Sequence, residues 1–211
     1  MPLGVFPSKG RVGLSMNQAI IPMSVAILCG GESRRMGRQK AFLPYAGTTL
    51  IEHRYDQMKA LFAEVMLVAN DPEIYSHITD DVVKDIIPHR GPLVGILSAL
   101  LVAAHEQVFV IACDMPLVDA QLIQEMAAAA KDTDVLVATH EEGVEPLLGV
   151  YSKQCVKPLE DAIFDGNLKV SDFLGGIQAK LHKIDVDRFN GNLPVVFNVN
   201  TPTDYSRLIT E

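Results

Sequence analysis

The sequence has few cysteines, a shortage of positive charge and no long apolar run, and each shortage excludes a class of protein. Its 211 residues include only three cysteines, Cys29, Cys113 and Cys155, and no pair has the spacing of a zinc ribbon or a disulfide framework. This usage indicates a reducing compartment, so we expect a cytoplasmic protein. The longest uncharged apolar run, residues 92–104, is shorter than the roughly 20 residues of a membrane span, so we expect no membrane partner.

The charge balance is acidic, with 18 lysines and arginines against 26 aspartates and glutamates and a formal net charge of −8. A protein held on nucleic acid by bulk charge needs a net basic face, so we expect no nucleic-acid partner. A small phosphorylated substrate is still compatible, because it requires only a local basic pocket. Apolar residues at 48% and charged residues at 21% are typical of a globular domain, and the length allows one full core.

We expect residues 1–22 to be a disordered N-terminal extension and residues 23–211 to form a single domain. The extension lacks a periodic apolar face, and polar residues and Pro22 interrupt the apolar core that a signal peptide requires. Order is expected to begin at Ser24, where a short apolar run leads directly into the pair Gly30-Gly31.

Apolar runs and helix signals alternate along the rest of the chain. Strands are predicted by the short apolar runs at residues 25–28, 65–69, 82–83, 108–112, 135–139 and 147–151. Between them, a capping box at Thr49 and Glu52 predicts a helix whose apolar face continues to Phe62. Residues 93–104 predict a buried helix, and Asp119 is the predicted cap of another.

This alternation predicts an α/β fold of three layers, Rossmann-like, with a mostly parallel sheet and helices on both faces. Residues 141–186 break the strict alternation, so we expect one antiparallel strand there. In such a sheet, ligands bind outside the carboxyl ends of the strands. Three charged or glycine-rich segments follow predicted strands, at residues 30–40, 84–95 and 113–116, and we expect them to converge on one site.

The first of these segments has the composition of a phosphate-binding loop. Arg34, Arg35, Arg38 and Lys40 place four of the 18 bases within seven residues. Glycines at 30, 31 and 37 let the backbone approach a bulky anion, and free N–H groups can form an anion nest. The segment is neither a Walker loop nor a dinucleotide fingerprint. The alternative, a solvated basic turn, does not account for this concentration of bases in an acidic protein.

The motif Leu-x-Gly-Gly-x-Ser-x-Arg-Met-Gly-x-x-Lys, which ends at Lys40, resembles the signature of the small sugar-nucleotide-type nucleotidyltransferases. It is most similar to that of the molybdenum cofactor guanylyltransferases. Three further segments, Gly-Pro-Leu-Val-Gly-Ile from Gly91, Cys-Asp-Met-Pro from Cys113 and Asn-Val-Asn-Thr-Pro from Asn198, extend the resemblance over nearly the whole domain. The chain departs from the family at Cys29, where alanine is usual, and at Gln39, where an acid is common.

The resemblance implies a role for particular residues. The nucleotide pocket would be lined by Leu28, Cys29, Gly30, Gly31, Lys40, Asp85, Gly91, Pro92 and Asp114. Arg35, Lys40 and Asp114 would be the catalytic residues: the two cations hold the triphosphate, and Asp114 holds Mg²⁺. On the acceptor side, more weakly, would lie Glu145, Pro146, Asn198 and Asn200. An asparagine that some members place two residues before the position of Asn70 is Val68 here.

The resemblance also implies a reaction, in which GTP and Mg²⁺ bind and the terminal phosphate of molybdopterin, with or without molybdenum, attacks the α-phosphorus. The partners would be GTP and molybdopterin, with transient contacts to other proteins of cofactor biosynthesis. One alternative is another small-molecule nucleotidyltransferase, such as the cytidylyltransferase of the same cofactor, whose motif more often has glutamine at the position of Met115. The other is a nucleotide-binding module without turnover, which the intact Lys40 and Asp114 disfavour.

Overall fold

The structure, a computed structural model, describes residues 19–29, 39–88, 90–185 and 188–210. The predicted site residues Gly30, Gly31 and Arg35 lie outside the described residues, as does most of the predicted N-terminal extension.

The main elements follow one another in the predicted alternation. In chain order they are β1 (Ile21–Leu28), β2 (Pro44–Tyr45), β3 (Thr48–Thr49), α1 (Leu50–Lys59), β4 (Phe62–Ala69), β5 (Val82–Lys84), α2 (Pro92–Val102), β6 (Gln107–Ala112), α3 (Ala120–Ala129), β7 (Val135–His140), β8 (Gly143–Ser152), α4 (Val156–Phe164), α5 (Val170–Gly175), β9 (Lys180–Lys183), β10 (Phe189–Asn190), β11 (Leu193–Pro194) and α6 (Pro202–Thr210). Short 3₁₀ turns occur at Lys40–Phe42, Pro72–Tyr75 and Lys153–Cys155.

Seven of the strands form one sheet in the order β5-β4-β1-β6-β8-β7-β9. All neighbouring pairs are parallel except those of β8, which runs antiparallel to both β6 and β7. The fold class and the single antiparallel strand in the 141–186 region are therefore confirmed. β2–β3 and β10–β11 form separate antiparallel pairs, which were not predicted because two-residue strands have no readable periodicity.

The central strand β1 is buried on both faces, which explains its continuous apolar run. Val25 and Ile27 face one core cluster, which includes side chains of α1 and α3. Ala26 and Leu28 face a second cluster, which includes side chains of α2, α4 and α5. The alternation of side chains along one strand thus gives the three-layer arrangement.

Several boundaries differ from the sequence-based expectation. The first strand begins at Ile21, not at Ser24, because the Ile21 N–H donates to the Leu61 carbonyl at 2.8 Å. Pro22 is tolerated because pairing with β6 begins only at Ser24. Phe62, expected on the helix face, is instead the first residue of β4, although it still packs in the same core.

Both predicted helix caps are confirmed. Thr49 and Glu52 form the reciprocal capping box of α1, and the Asp119 carboxylate accepts from the Leu122 N–H at the start of α3. Helix α2 ends at Val102, two residues earlier than expected, and its last two residues, Leu101 and Val102, are exposed rather than buried. Among the described residues, no helix is long and apolar enough to cross a membrane.

Candidate active site

A cavity of about 640 Å³ opens at the carboxyl ends of the parallel strands β1, β4, β5 and β6. Its walls include the residues directly after β1 and β6, the 3₁₀ turn at Lys40–Phe42, the ends of β4 and β5, and the start of α2. The described parts of all three segments predicted to converge contribute to these walls. Of the predicted nucleotide-pocket residues, those that line it are Leu28, Cys29, Lys40, Asp85, Gly91, Pro92 and Asp114.

The charged end of the cavity is a contact between three residues distant in sequence. Lys40 Nζ donates to Asp114 Oδ2 at 2.8 Å and to Asn200 Oδ1 at 2.9 Å. The side chains of Lys40 and Asp114 are each 18% exposed, so water screens their ion pair less than a surface pair. The Val199 N–H donates to the Asp114 carbonyl at 2.9 Å, which ties the C-terminal segment to the end of β6.

The turn that follows Asp114 is held by an arginine that sequence reasoning missed. Arg54, on α1, is 0% exposed; its Nη2 donates to the Met115 carbonyl and its Nη1 to the Val118 carbonyl at 3.1 Å. Burial lowers the pKa of Arg54 to about 10, and nearby acidic groups, Asp114 among them, oppose the shift. The guanidinium therefore stays charged at neutral pH.

Met115 itself points away from the cavity. Its side chain is 2% exposed and belongs to the core cluster that includes α1 and α3 side chains. Met115 therefore does not line the cavity, and its side chain cannot select guanine by direct contact. Cys113 belongs to the same cluster, and burial raises the pKa of its thiol to about 12.

The opposite end of the cavity has the features of a nucleotide pocket. Asp85 is 9% exposed, and its N–H donates to the Ala69 carbonyl at 3.2 Å. Helix α2 begins beside it, at Gly91 and Pro92, so the free N–H groups of its first turn and its positive dipole end border the cavity. Gly91 has φ +84°, in the left-handed region that favours glycine, which explains its place before the helix.

Two further residues of the cavity wall were not predicted, Asn70 and Tyr75. Asn70 directly follows β4, so the same strand-end argument that selected Asp114 could have found it. Val68, where a contact was expected to be lost, also lines the cavity and is 2% exposed. No sequence signal pointed to Tyr75, because its contacts come from distant parts of the chain.

The predicted acceptor-side residues are only partly assembled around this cavity. Asn200 does not line the cavity itself, but its Oδ1 accepts from Lys40, which does. Asn198 Nδ2 instead donates to the Val196 carbonyl at 3.2 Å. Glu145 lies at the start of β8, where its carboxylate contacts His140 Nε2 at 3.1 Å. Neither Glu145 nor Pro146 lines the cavity, and the roles of these residues stay predictions.

A bulge in β8 brings the next residue, Leu147, into the cavity wall. Val137 of β7 pairs with Gly149, but the following residue of β7 pairs with Glu145, so three residues of β8 have no partner in the register of β7. The Tyr151 hydroxyl donates to the Pro146 carbonyl at 2.6 Å and holds this bulge. The β7–β8 hairpin therefore contributes an apolar side chain, that of Leu147, to the cavity wall.

The surroundings of Asp114 fit the hard divalent cation that the resemblance implies. A cation, the Lys40 ammonium, already lies at 2.8 Å from the carboxylate, and the Asn200 amide oxygen is directed at the same ammonium. Carboxylate and carbonyl oxygens are the ligands that Mg²⁺ takes. Within the described ranges, no group of three or more His, Cys, Asp and Glu side chains is arranged to hold a metal. A site with one carboxylate, such as Asp114, is typical for Mg²⁺, because substrate phosphates and water supply the remaining ligands.

The parallel sheet, the cavity at its carboxyl edge and the lysine–aspartate pair there are those of a nucleotidyltransferase-type α/β protein. The family model of the MobA-like NTP transferase domain matches residues 25–181. The chain belongs to this family.

Relatives and solved structures agree with this assignment. The chain is 37% identical over 190 residues to the "Probable molybdenum cofactor guanylyltransferase" of Carboxydothermus hydrogenoformans, covering 89% of this chain and 95% of the relative. It is 32% identical to the molybdenum cofactor guanylyltransferase of Desulfosudis oleivorans, covering 86% and 91%. The crystal structure of molybdopterin-guanine dinucleotide biosynthesis protein A from Archaeoglobus fulgidus matches with a TM-score of 0.76 at 28% identity, covering 88% and 96%.

Proposed function

We propose that this protein transfers the guanosine monophosphate group of GTP to the terminal phosphate of molybdopterin, releasing pyrophosphate. The observation that carries the proposal is the convergence of Lys40, Asp114 and Asn200 at the mouth of a cavity of nucleotide size. The names of the relatives supply the substrates, and the family assignment supplies the reaction class.

In this reaction, an oxygen of the acceptor phosphate attacks the α-phosphorus, and the bond from that phosphorus to the bridging oxygen breaks. The acceptor phosphate is already anionic near neutral pH, so no strong general base is needed. The cavity agrees, because no histidine is among the described residues that line it. Catalysis would therefore come from positioning and from neutralising charge on the phosphates.

The chain's own residues would divide this work. Lys40 Nζ donates to Asp114 Oδ2 and Asn200 Oδ1 and would exchange these oxygens for phosphate oxygens. Arg35 would assist it. Asp114, once released from Lys40, would hold Mg²⁺, which supplies charge neutralisation at the phosphates when bound. The first turn of α2 and Asp85 would form the pocket for the nucleoside.

The choice of guanine rests on the relatives, since the side chain of Met115 lies in the core. A pocket that pairs with the N1–H and N2–H₂ donors of guanine would leave buried groups unpaired with cytosine or adenine, at about 1–3 kcal/mol for each group. Of the aspartates in the described cavity wall, we assign Asp85, which lies near the start of α2, to accept from those donors. Asp85→Ala is expected to relax selectivity. If GTP use falls with selectivity intact, Asp85 contacts the ribose or the metal.

The decisive experiment measures pyrophosphate release with Mg²⁺ and equal concentrations of GTP, CTP or ATP, with and without molybdopterin. We expect release with GTP only when molybdopterin is present, and a strong reduction in Asp114→Asn together with a weaker response to added Mg²⁺. Equal rates with CTP would identify the cytidylyl reaction instead. Nucleotide binding without release would identify a binding module.

A further inference from the structure

Tyr75 is a buried cavity residue that the proposed reaction does not use. It ends the 3₁₀ turn at Pro72–Tyr75, between β4 and β5, and is 2% exposed. Its ring and its hydroxyl contact two segments that are far from Tyr75 in the chain. These are the segments on either side of the glycine-rich sequence, just before Gly30 and just after Gln39.

The hydroxyl of Tyr75 holds the first of these segments. It donates to the Cys29 carbonyl at 3.2 Å, while the Cys29 N–H donates to the Val68 carbonyl at 2.9 Å. Both backbone polar groups of Cys29 are therefore fixed at the end of β1. Burial raises the pKa of the Tyr75 hydroxyl, so it stays protonated and remains a donor near neutral pH.

The ring of Tyr75 holds the second segment. It stacks on Phe42 with ring centroids 5.2 Å apart and an interplanar angle of 25°. Phe42 belongs to the turn that begins with Lys40, and that turn is closed by the Leu43 N–H, which donates to the Lys40 carbonyl at 3.0 Å. A change in the position of Phe42 is therefore passed directly to the backbone of Lys40.

We propose that Tyr75 is a positioning residue that fixes Cys29 and the Lys40 turn relative to each other. One rigid side chain thereby sets both boundaries of the basic, glycine-rich segment and the direction from which Lys40 reaches Asp114. Displacing a phosphate-binding group by about 1 Å can cost about 10²-fold in rate, so such support affects catalysis without touching the substrate. The effect on catalysis rests on the proposed function, whereas the role of Tyr75 in holding Cys29 and the Lys40 turn does not.

Three variants separate the two contacts. Tyr75→Phe removes the hydroxyl and keeps the stack; Phe42→Leu removes the stack and keeps the hydroxyl; Tyr75→Leu removes both. Tyr151→Phe is the matched control, since this buried tyrosine also donates to a backbone carbonyl but holds the β8 bulge instead.

The first readout needs no ligand and is amide hydrogen exchange in the full-length protein. We expect Tyr75→Phe to raise exchange about 2- to 10-fold at the Cys29 amide alone, because loss of the bond to the Cys29 carbonyl loosens this residue and, with it, the bond from its N–H to the Val68 carbonyl. Phe42→Leu should raise it at residues 42–43 alone, and Tyr75→Leu at both. The β6 amides and the Tyr151→Phe protein should show no change at these positions.

The second readout is the binding of Mg²⁺ and GTP, measured by calorimetry in a double-mutant cycle with Lys40→Met. If Tyr75 acts through Lys40, Tyr75→Leu weakens binding about 10-fold in the wild-type background and less than about 2-fold beside Lys40→Met. A residue with only a general structural role would lower the melting temperature and weaken binding by the same factor in both backgrounds. That additive outcome overturns the proposal.

The two readouts also separate this inference from the proposed function. If the wild-type protein releases no pyrophosphate with GTP, the proposed function fails, while hydrogen exchange still tests the role of Tyr75. If pyrophosphate release is normal but exchange at Cys29 and at residues 42–43 is unchanged in Tyr75→Leu, the positioning role is wrong and the proposed function stands.

Discussion

The charged end of the cavity and the β7–β8 hairpin beside it are two walls of one site, but they are built in different ways. The charged end joins side chains separated by up to 160 residues, Lys40 and Asn200, and rests on the buried cation of Arg54. The hairpin is local in sequence and takes its shape from a backbone bulge and a glycine. Charge thus stabilises one wall and backbone geometry the other. Substitutions that remove a charge should therefore affect the first wall, and substitutions that crowd the backbone should affect the second.

The largest effect is expected at the charged end, from Lys40→Ala. Removing a positioned phosphate donor typically costs about 3–4 kcal/mol, so turnover should fall by 10²-fold or more while the fold is kept. Pyrophosphate release and circular dichroism on the purified variant test this. Lys157→Ala, which removes an exposed lysine paired within α4, is the control. Near-normal turnover in Lys40→Ala would remove Lys40 from the mechanism.

Arg54→Met removes the hydrogen bonds that hold the turn after Asp114, and Arg54 itself does not line the cavity. The substitution keeps the volume approximately but removes the guanidinium donor of the Met115 carbonyl, and the Val118 carbonyl keeps only Gln57 Nε2, at 2.9 Å. We expect a loss of about 2–4 kcal/mol in unfolding free energy and a fall of about 5–15 °C in melting temperature. The exposed Arg207→Met should lose less than about 1 kcal/mol. Equal stability of Arg54→Met and wild type would mean that the buried charge is not what holds the Asp114 turn.

The hairpin is tested by adding one methyl group, in Gly149→Ala. A Cβ at this position would lie 2.5 Å from the Leu136 carbonyl oxygen, a backbone atom that cannot rotate away. Overpacking of this kind costs about 1–3 kcal/mol, so denaturant unfolding should show that loss. Gly175→Ala, where a Cβ meets nothing within 4 Å, is the matched control and should be neutral or stabilising. A neutral Gly149→Ala would mean that the bulge adapts easily.

The same difference between the walls explains what the sequence could predict. The strand-end rule located the segments that contain Lys40, Asp85 and Asp114, because each segment follows a short apolar run. The family resemblance then assigned roles to these residues. Arg54 and Tyr75 could not be found in this way, since their roles depend on partners about 60 and 45 residues away. The β8 bulge was also missed, because a bulge is a change of register that composition does not encode.

The smallest effect is expected at the edge of the hairpin, from Glu145→Gln. The Glu142 N–H donates to His140 Nδ1 at 3.3 Å, which leaves Nε2 to carry the ring proton and donate to Glu145 at 3.1 Å. Glu145 is thus held in place by its own hairpin, not by the charged end. If it contacts the acceptor, losing its charge should raise the KM for molybdopterin about 2- to 5-fold, the cost of one weakened hydrogen bond, and leave the KM for GTP unchanged.

His140→Gln is the companion variant, because it keeps the charge of Glu145 and removes only its orientation. It should change the same KM in the same direction by a smaller factor. The measurement is initial-rate kinetics with one substrate varied at saturating concentrations of the other. A rise in the KM for GTP would place Glu145 at the nucleotide end, and the two walls would then share one substrate. Unchanged constants for both substrates would leave the hairpin with Leu147 as its only described contribution to the cavity.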